Sequence, residues 1–259
     1  MLTVGIQGGI ASFHSIVCKK YFKEAINVIE FDSFRELADS LSNQSLDLAV
    51  MAIQNKIAGV LNDNYRLIVD HQLHAIAELT LNIRLYLMAY EEFEIENLTE
   101  IQSHPVALKQ CRQFLKQYPK IPVNESDDTA NGAKRIYFDQ NRKTGIIASL
   151  TAAKLYSLNI LTRNIAEDIH NHTRFYVLSR DGFFMDESDK LIICGPQPVK
   201  KLNLTNISIV HELKIDNYYI SEFLIDENDF DLICDQVKAA EGFRIIGAFK
   251  AEESIYEED

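Results

Sequence analysis

Residues 46–53 read LDLAVMAI, and this stretch narrows the choice of fold more than any other. Asp47 alone interrupts the apolar run, which predicts a strand covered on both faces, as in a parallel sheet. Asn55 comes soon after it, at the strand end where open α/β sheets usually bind ligands. The stretch therefore predicts an α/β protein with Asn55 near a candidate binding site.

The residues on either side continue the α/β pattern. Residues 3–6 predict a strand, followed by a glycine-containing loop and a helix over 14–22. Residues 25–31 predict a second strand, and Ser33 is placed to cap a helix with apolar residues at helical spacing. Further along the chain, the pattern predicts strands at 75–88, 100–102, 145–148, 160–165 and 173–178, and helices at 105–118, 129–138 and 150–156. These short alternating units favour an open, mainly parallel sheet in two lobes with a cleft between them.

The last part of the sequence predicts a second, smaller domain. The polar segment 181–190 is the expected hinge, and residues 190–259 are expected to form a small α+β unit. Its predicted elements are strands at 191–194, 206–214, 218–225 and 243–249 and a helix at 229–240. The acidic residues between 252 and 259 predict a frayed, solvated tail.

Composition excludes several classes of partner. The chain has 259 residues, of which 47% are hydrophobic and 25% charged, and its net charge of −12 argues against nucleic acid. No segment reaches the roughly 18 to 20 apolar residues that span a bilayer, so no membrane association is expected. The N-terminus lacks the features of a secretory leader and the four cysteines are far apart, which together favour reduced thiols and a cytoplasmic location.

Metal and cofactor chemistry has little support in the sequence. The common motifs of nucleotide binding, zinc proteases and serine hydrolases are absent. His170 and His172 could present two imidazoles on one face of a strand, but no third ligand is evident. We interpret this pair as part of a surface loop and expect neither a metal nor a cofactor.

Four segments, in order, resemble the prephenate dehydratase family. They are IQGGIASFH at 6–14, AIQNKIAG at 52–59, SHPVALKQC at 103–111 and NHTRF at 171–175. Weaker matches occur at 128–130 and 147–149. The resemblance implies conversion of a small-molecule substrate, prephenate, to phenylpyruvate. It also implies a two-lobed fold like the type II periplasmic binding proteins over 1–182, with lobe 1 at about 1–75 and 160–182 and lobe 2 at 76–159.

The resemblance also implies which residues form the site. Thr173 would donate a hydrogen bond to the departing hydroxyl, while Asn55, Ser103 and Gln110 would orient the substrate. Further substrate contacts would come from Gly8, Ser12, Phe13, Lys56, Arg174 and Phe175. From the residues themselves, Pro105 suits the first position of a helix, so main-chain amides there could face an anion, and those of the 8–13 loop, which opens another helix, could do likewise.

The sequence departs from the family pattern at four positions. Position 54 is Gln where the family has Glu, position 56 is Lys where it has Ser or Thr, and Ala11 and Ala77 each replace a usual Gly. Lys56 could supply positive charge to a substrate carboxylate. Alternatively, it could fill the pocket and leave a non-catalytic sensor of aromatic acids. A solute-binding protein of transport is a second alternative, which the missing leader argues against.

The C-terminal unit resembles a shortened ACT-type regulatory module. The matching segments are NLTNI at 203–207 and FRIIGAFK at 243–250. Only residues 195–201 separate Cys194 from Leu202, too few for a crossover helix, so the module's usual first helix cannot fit. The usual effector motifs are missing too. We therefore expect little or no inhibition by phenylalanine and a module that serves assembly into a homodimer or homotetramer.

Overall fold

The computed structural model describes residues 1–92, 94–126, 128–182, 188–251 and 254–255. The first part of the chain forms β1 (Thr3–Gln7), α1 (Phe13–Tyr21), β2 (Asn27–Phe31), α2 (Phe34–Ser42), β3 (Leu48–Asn55), β4 (Gly59–Val60), α3 (Asn62–Asp70) and β5 (His74–Asn82). The middle part forms β6 (Tyr86–Ala89), β7 (Glu100–Ser103), α4 (Pro105–Gln110), α5 (Arg112–Leu115), β8 (Val123–Glu125), α6 (Thr129–Phe138), β9 (Thr144–Ala148), α7 (Leu150–Leu155) and β10 (Asn159–Thr162). The last part forms β11 (His172–Ser179), β12 (Lys190–Gly195), β13 (Ile207–Ile215), β14 (Tyr218–Ile225), α8 (Phe230–Ala239), β15 (Arg244–Phe249) and β16 (Ser254–Ile255).

The larger of two sheets is mixed. Its main order is β13-β14-β12-β15-β5-β11-β3-β1-β2. β1 pairs in parallel with β2 and β3, whereas β11 lies antiparallel between β3 and β5. The expectation of a mainly parallel sheet is therefore wrong. The reason is that the chain leaves the first lobe along β5 and returns along β11, so these neighbouring strands run in opposite directions.

The smaller sheet belongs to the second lobe and has the order β10-β6-β9-β7-β8. Its composition corrects the expected lobe boundaries at 75/76 and 159/160. β5 is part of the larger sheet, so the chain enters the second lobe only after Asn82, and β10 remains in the smaller sheet. The two crossings lie at about 83–85 and 163–171.

The strand β3 is buried on both faces, as the apolar run predicts. Val50 and Ala52 pack on one side with residues of α1, β5 and β11. Met51 and Ile53 pack on the other side with α2, α3 and the C-terminal strands. Because both faces of β3 are packed, the position of its last residue is fixed. That residue, Asn55, lies at the cleft between the lobes.

Most predicted helices are confirmed, with two differences. Ser33 caps α2 by accepting a hydrogen bond from the Glu36 N–H. The helix expected over 105–118 is divided at Cys111, whose φ of −108° and ψ of 18° interrupt the helical run between α4 and α5. α3 has no counterpart among the predicted elements.

The C-terminal unit is an antiparallel sheet with one α-helix. β12 lies between β14 and β15, and β13 pairs with β14 at the outer edge. α8 packs on one face with Phe223, while the other face packs on α3. Only a 3₁₀ turn, Val199–Leu202, occupies the connection after β12, which agrees with the expected loss of a helix there. β15 joins this sheet to β5 through the pair Gly247 and Ala75, and the short strand β16 pairs with β5 as well.

Two predictions fall wholly or partly outside the described residues. Residues 183–187 of the expected hinge are outside, and so are 252–253 and 256–259 of the acidic tail. Within the described part of the chain, no helix is long and apolar enough to cross a bilayer.

Candidate active site

A cavity of about 320 Å³ lies between the two lobes. The walls are largely apolar, and a few polar side chains reach it from both sides. The first lobe contributes Gln7, Ser12, Phe13, His14, Phe34, Ala52, Asn55, Ala58, Leu61, Thr173 and Phe175. The crossing between the lobes contributes Ile83 and Leu85, and the second lobe contributes His104, Val106, Ala107, Gln110, Asp128 and Thr129. Apolar walls with a few convergent polar groups are typical of a small-molecule site.

Asn55 and Thr173 form a hydrogen-bonded pair at the wall of this cavity. They are opposite each other in the antiparallel β3–β11 ladder. Asn55 Nδ2 donates to Thr173 Oγ1 at 2.9 Å, to Asn171 Oδ1 at 3.0 Å and to the His172 carbonyl at 3.1 Å. Asn55 Oδ1 accepts from the N–H groups of Ile57 and Ala58. These five bonds fix the orientation of the Asn55 amide.

This orientation determines where the Thr173 proton can go. A hydroxyl has one proton to donate, and here its oxygen already accepts from Asn55. Among the described residues, Thr173 has no protein acceptor for that proton, and its side chain borders the cavity. The arrangement therefore presents a hydrogen-bond donor to whatever occupies the cavity.

Aromatic rings form one wall beside this donor. His14 packs edge-on against Phe175 with ring centroids 5.0 Å apart, and Phe34 lies 5.4 Å away on another side. Burial lowers the pKa of His14 to about 3. The imidazole is therefore neutral near pH 7, and its Nε2 accepts a hydrogen bond from the Ala52 N–H.

Two longer helices begin at the cavity. Ser12 caps α1 and Asp128 caps α6, each by accepting a bond from the main-chain N–H three residues on. Helix N-termini carry partial positive charge and free N–H groups, which favour anions. No Lys or Arg lines the cavity among the described residues, so these N-termini are its main source of positive potential.

Asp128 also brings the two lobes together. A Cβ at Gly8 would lie 2.7 Å from Asp128 Oδ2, so the first-lobe loop approaches this carboxyl closely, and the φ of +83° at Gly8 suits glycine. Burial raises the pKa of Asp128. In the same loop Ala11 has a φ of 84°, a left-handed conformation that glycine adopts more easily.

The structure brings most of the predicted site residues to one cavity. Asn55, Gln110 and Thr173 line it together, Asn55 and Thr173 from the first lobe and Gln110 from the second. Ser12, Phe13 and Phe175 also line the cavity. Their roles in binding or catalysis remain predictions.

Four predicted residues do not line the cavity. Ser103 is fully buried beneath it, where its hydroxyl donates to the Ile147 carbonyl at 2.6 Å. Gly8 lies in the first-lobe loop, close to Asp128. Lys56 points away and forms an ion pair with Asp168 at 2.6 Å on the surface. Neither the proposed charge contribution of Lys56 nor the alternative that it fills the pocket agrees with this position.

Arg174 is the fourth, and it lies on the opposite face of β11 because successive strand residues alternate. It donates to Gln54 Oε1 at 2.7 Å and to Glu222 Oε2 at 2.6 Å, and it pairs with Glu78. The expectation that Arg174 contacts the substrate is therefore corrected. It belongs to a buried charge network that consists of Gln54, Tyr65, Glu78, Arg174, Tyr176, Lys190 and Glu222.

Sequence reasoning missed several residues at the cavity. His14 lines the cavity, and its place in the glycine-containing segment that resembles the family was the available signal. Asp128 belongs to a weaker match, and its position before an α-helix was the available signal. No sequence signal identified Phe34.

Among the described residues, no group of three or more His, Cys, Asp or Glu side chains could hold a metal ion. The cavity residues are instead hydroxyl, amide and imidazole groups in an apolar frame.

Comparison with known proteins agrees with this geometry. The family model described as prephenate dehydratase matches residues 4–182. Arogenate dehydratase 2 of Petunia hybrida is 36% identical over 182 residues, which cover 70% of this chain and 45% of the relative. The chain thus spans less than half the length of several curated relatives that it matches.

Two solved structures share the fold at low identity. A prephenate dehydratase from Arthrobacter aurescens, in complex with L-Phe, has a TM-score of 0.82 at 20% identity and covers 96% of this chain and 90% of its own. A protein described as a quorum-quenching acylase, GqqA, has a TM-score of 0.79 at 19% identity, with coverage of 96% and 98%. Since the family model spans most of the chain, this protein belongs to the prephenate dehydratase family.

Proposed function

We propose that this chain catalyses the decarboxylative dehydration of prephenate to phenylpyruvate, a step in making phenylalanine. Prephenate is a dianion on a non-aromatic ring. Breaking its ring–carboxylate bond releases carbon dioxide, and the freed electron pair moves into the ring as the C–O bond breaks. The leaving hydroxide takes up one proton to become water. The electron pair from the C–C bond replaces the pair that leaves with the oxygen, so the reaction needs no redox partner.

The observation that carries the proposal is the free proton of Thr173. A hydrogen bond aimed at the departing oxygen stabilises the charge that develops there as the C–O bond breaks. Thr173 is fixed for this task because Asn55 Nδ2 occupies its acceptor side. A threonine hydroxyl is a weak acid, so its contribution is a positioned hydrogen bond, and the proton that converts the leaving hydroxide to water comes from solvent.

The rest of the cavity suits a small aromatic acid. The N-terminal turns of α1 and α6 offer N–H groups to carboxylates, and Gln110 offers an amide from the second lobe. Phe13, Phe175 and the neutral His14 give a ring-sized apolar wall. Asp128 lies at the start of α6, where burial raises its pKa and its carboxyl accepts a hydrogen bond from the Asn131 N–H.

The test is turnover by purified protein. Mixed with prephenate at neutral pH, the wild-type chain is expected to form phenylpyruvate well above the spontaneous rate. Thr173→Ala is expected to remove most of the excess, whereas Thr162→Ala, on β10 and outside the cavity, is expected to retain it. Arogenate is assayed in parallel because the Petunia relative is named for it. Spontaneous rates alone with both substrates would contradict the proposal.

A non-catalytic sensor of aromatic acids is the alternative from another class. Its sequence support was Gln54 and Lys56, and neither side chain lines the cavity. A wild-type chain without turnover, together with turnover in a Gln54→Glu, Lys56→Ser double variant, would favour the sensor.

We further infer that the C-terminal unit is a shortened ACT-like module that pairs two or more copies of the chain. Its strand order, β13-β14-β12-β15, with β13 at a free edge, supports this inference. We expect phenylalanine to inhibit weakly or not at all, and micromolar binding measured by calorimetry would contradict that.

The cytoplasmic location also stays a proposal. It is supported by the four cysteines, which are free and buried.

A further inference from the structure

The buried charge network lies directly behind the site, where the C-terminal unit meets the first lobe. Its two carboxylates, Glu78 and Glu222, face two cations, Arg174 and Lys190. The opposite charges therefore balance in a space from which water is largely excluded. Buried pairs of this kind tolerate the loss of one member poorly, because the remaining charge is left without compensation.

Glu222 is the member that the C-terminal unit supplies from β14. Its side chain is 0% exposed. Oε1 accepts from the hydroxyls of Tyr65 and Tyr176 at 2.6 and 2.7 Å, and Oε2 accepts from Arg174. Burial alone would raise the pKa of Glu222, but Arg174 and Lys190 outweigh it and lower the pKa to about 2, so the carboxylate is ionised.

Arg174 connects this carboxylate to the strand pair that holds the site. Thr173 pairs with Asn55 in the ladder, and Arg174 pairs with Gln54 one position along. On one face Asn55 donates to Thr173, and on the other Arg174 Nη1 donates to Gln54 Oε1 at 2.7 Å. The two side-chain bridges thus lie back to back across the same two strands.

An irregularity in the ladder makes this bridge important. After Arg174 the register shifts, because Phe175 pairs with Ala52 rather than Ile53. A β-bulge re-aims the side chains beside it and weakens local pairing. The Arg174–Gln54 bridge lies between the bulge and the site, where it can hold the register that points Thr173 at the cavity.

We propose that Glu222 is a positioning residue for the active site, acting through Arg174 and Gln54 on the Asn55–Thr173 pair. The C-terminal unit would then complete the dehydratase site rather than only accompany it. This inference rests on the proposed function for its kinetic consequence, but its structural consequence can be measured without turnover. Without the Glu222 charge, Arg174 and Lys190 would both turn to Glu78, and Arg174 would loosen from Gln54.

The test compares Glu222→Gln with Glu212→Gln in the full chain. Glu212 lies on the neighbouring strand β13 and accepts bonds from Val199 and Ser221, outside the network. Glu222→Gln is expected to lower kcat on the order of ten- to a hundredfold with KM changed by less than about threefold. Glu212→Gln is expected to keep wild-type kcat. Lys190→Met should also lower kcat, and the Lys190→Met, Glu222→Gln double variant, which restores charge balance, should recover most of it.

A second readout is the side-chain amide signal of Asn55 in ¹⁵N-labelled protein, assigned by its loss in Asn55→Asp. We expect it to shift in Glu222→Gln and not in Glu212→Gln. Wild-type kcat in Glu222→Gln, or a lowered kcat with an unmoved Asn55 signal, would overturn the proposal.

If the wild-type chain does not turn over prephenate, the proposed function fails and the Asn55 signal alone decides the positioning claim. If Glu222→Gln does not fold, Tyr65→Phe, which removes one donor to Glu222, is measured in its place and should shift the same signal.

Discussion

On one face of the β3–β11 pair, Asn55 and Thr173 border a cavity with apolar walls, whereas on the other face Gln54 and Arg174 join the buried charge network. At the cavity, the Thr173 hydroxyl keeps a proton that it can donate to a ligand, as a binding site requires. The charged groups of the network are instead bonded to one another. The comparison teaches that two adjacent residues of one motif can have different roles. Thr173 borders the cavity, whereas Arg174 forms buried ion pairs that hold the strands together.

The largest expected effect comes from removing Arg174, one of the two cations of the network. Arg174→Met leaves Glu78 and Glu222 with Lys190 alone, so we expect the free energy of unfolding to fall by about 3 to 5 kcal/mol. Urea denaturation measures the change. Arg142→Met is the control, since Arg142 is 63% exposed and pairs with Glu91 at 3.3 Å, and it should cost no more than about 1 kcal/mol. An equal, small effect of both substitutions would show that the network does not stabilise the fold.

The next effect concerns the cavity face. Asn55→Asp keeps the side-chain shape and the bonds accepted from Ile57 and Ala58, but it removes the donor to Thr173 and adds negative charge beside a dianion. We expect kcat/KM for prephenate to fall on the order of 10²- to 10³-fold. Asn159→Asp, on β10 outside the cavity, is the matched control and should keep wild-type turnover. Undiminished turnover in Asn55→Asp would show that the Asn55 amide does not contribute to the reaction.

A smaller effect depends on pH. His14 has a folded pKa of about 3 against about 6.5 when unfolded, so the unfolded chain binds the extra proton between these values. The stability contributed by neutral His14 is therefore present above pH 6.5 and is lost as the pH falls towards 3. Between pH 7 and pH 5, wild type should lose about 2 kcal/mol more unfolding free energy than His14→Gln. Parallel pH profiles of the two proteins would contradict the burial of a neutral imidazole.

The smallest effect is expected at Lys56. Because its ammonium pairs with Asp168 on the surface, Lys56→Met should leave kcat and KM for prephenate within about twofold of wild type. A large rise in KM would show that Lys56 contributes to substrate binding, against its position in the structure.

The elements near the cavity were predictable where one local pattern determines them. The apolar run before Asn55 predicted β3, and Ser33 predicted the start of α2. The glycine-containing loop, Asn55, Gln110 and Thr173 were found through the resemblance, and the fold brings the last three to one cavity. Such features depend on residues close together in the sequence.

The network was not predictable, for a physical reason. Charged residues are mostly exposed in proteins, so the sequence alone would place Glu78, Arg174 and Glu222 at the surface. They become neighbours only because β5, β11 and the C-terminal strands belong to one sheet. The same long-range pairing explains the wrong expectation of a mainly parallel sheet. Strand alternation alone could have separated Thr173 from Arg174, since adjacent strand residues point to opposite faces.

Turnover and stability measured together on Thr173→Val test the central claim most directly. Valine keeps the branched shape but has no proton to donate, and Asn55 Nδ2 retains its bonds to Asn171 and His172. We predict that kcat for prephenate falls on the order of 10²- to 10³-fold. The free energy of unfolding should change by no more than about 1 kcal/mol. Wild-type kcat in this variant would contradict a role for the Thr173 hydroxyl in the reaction.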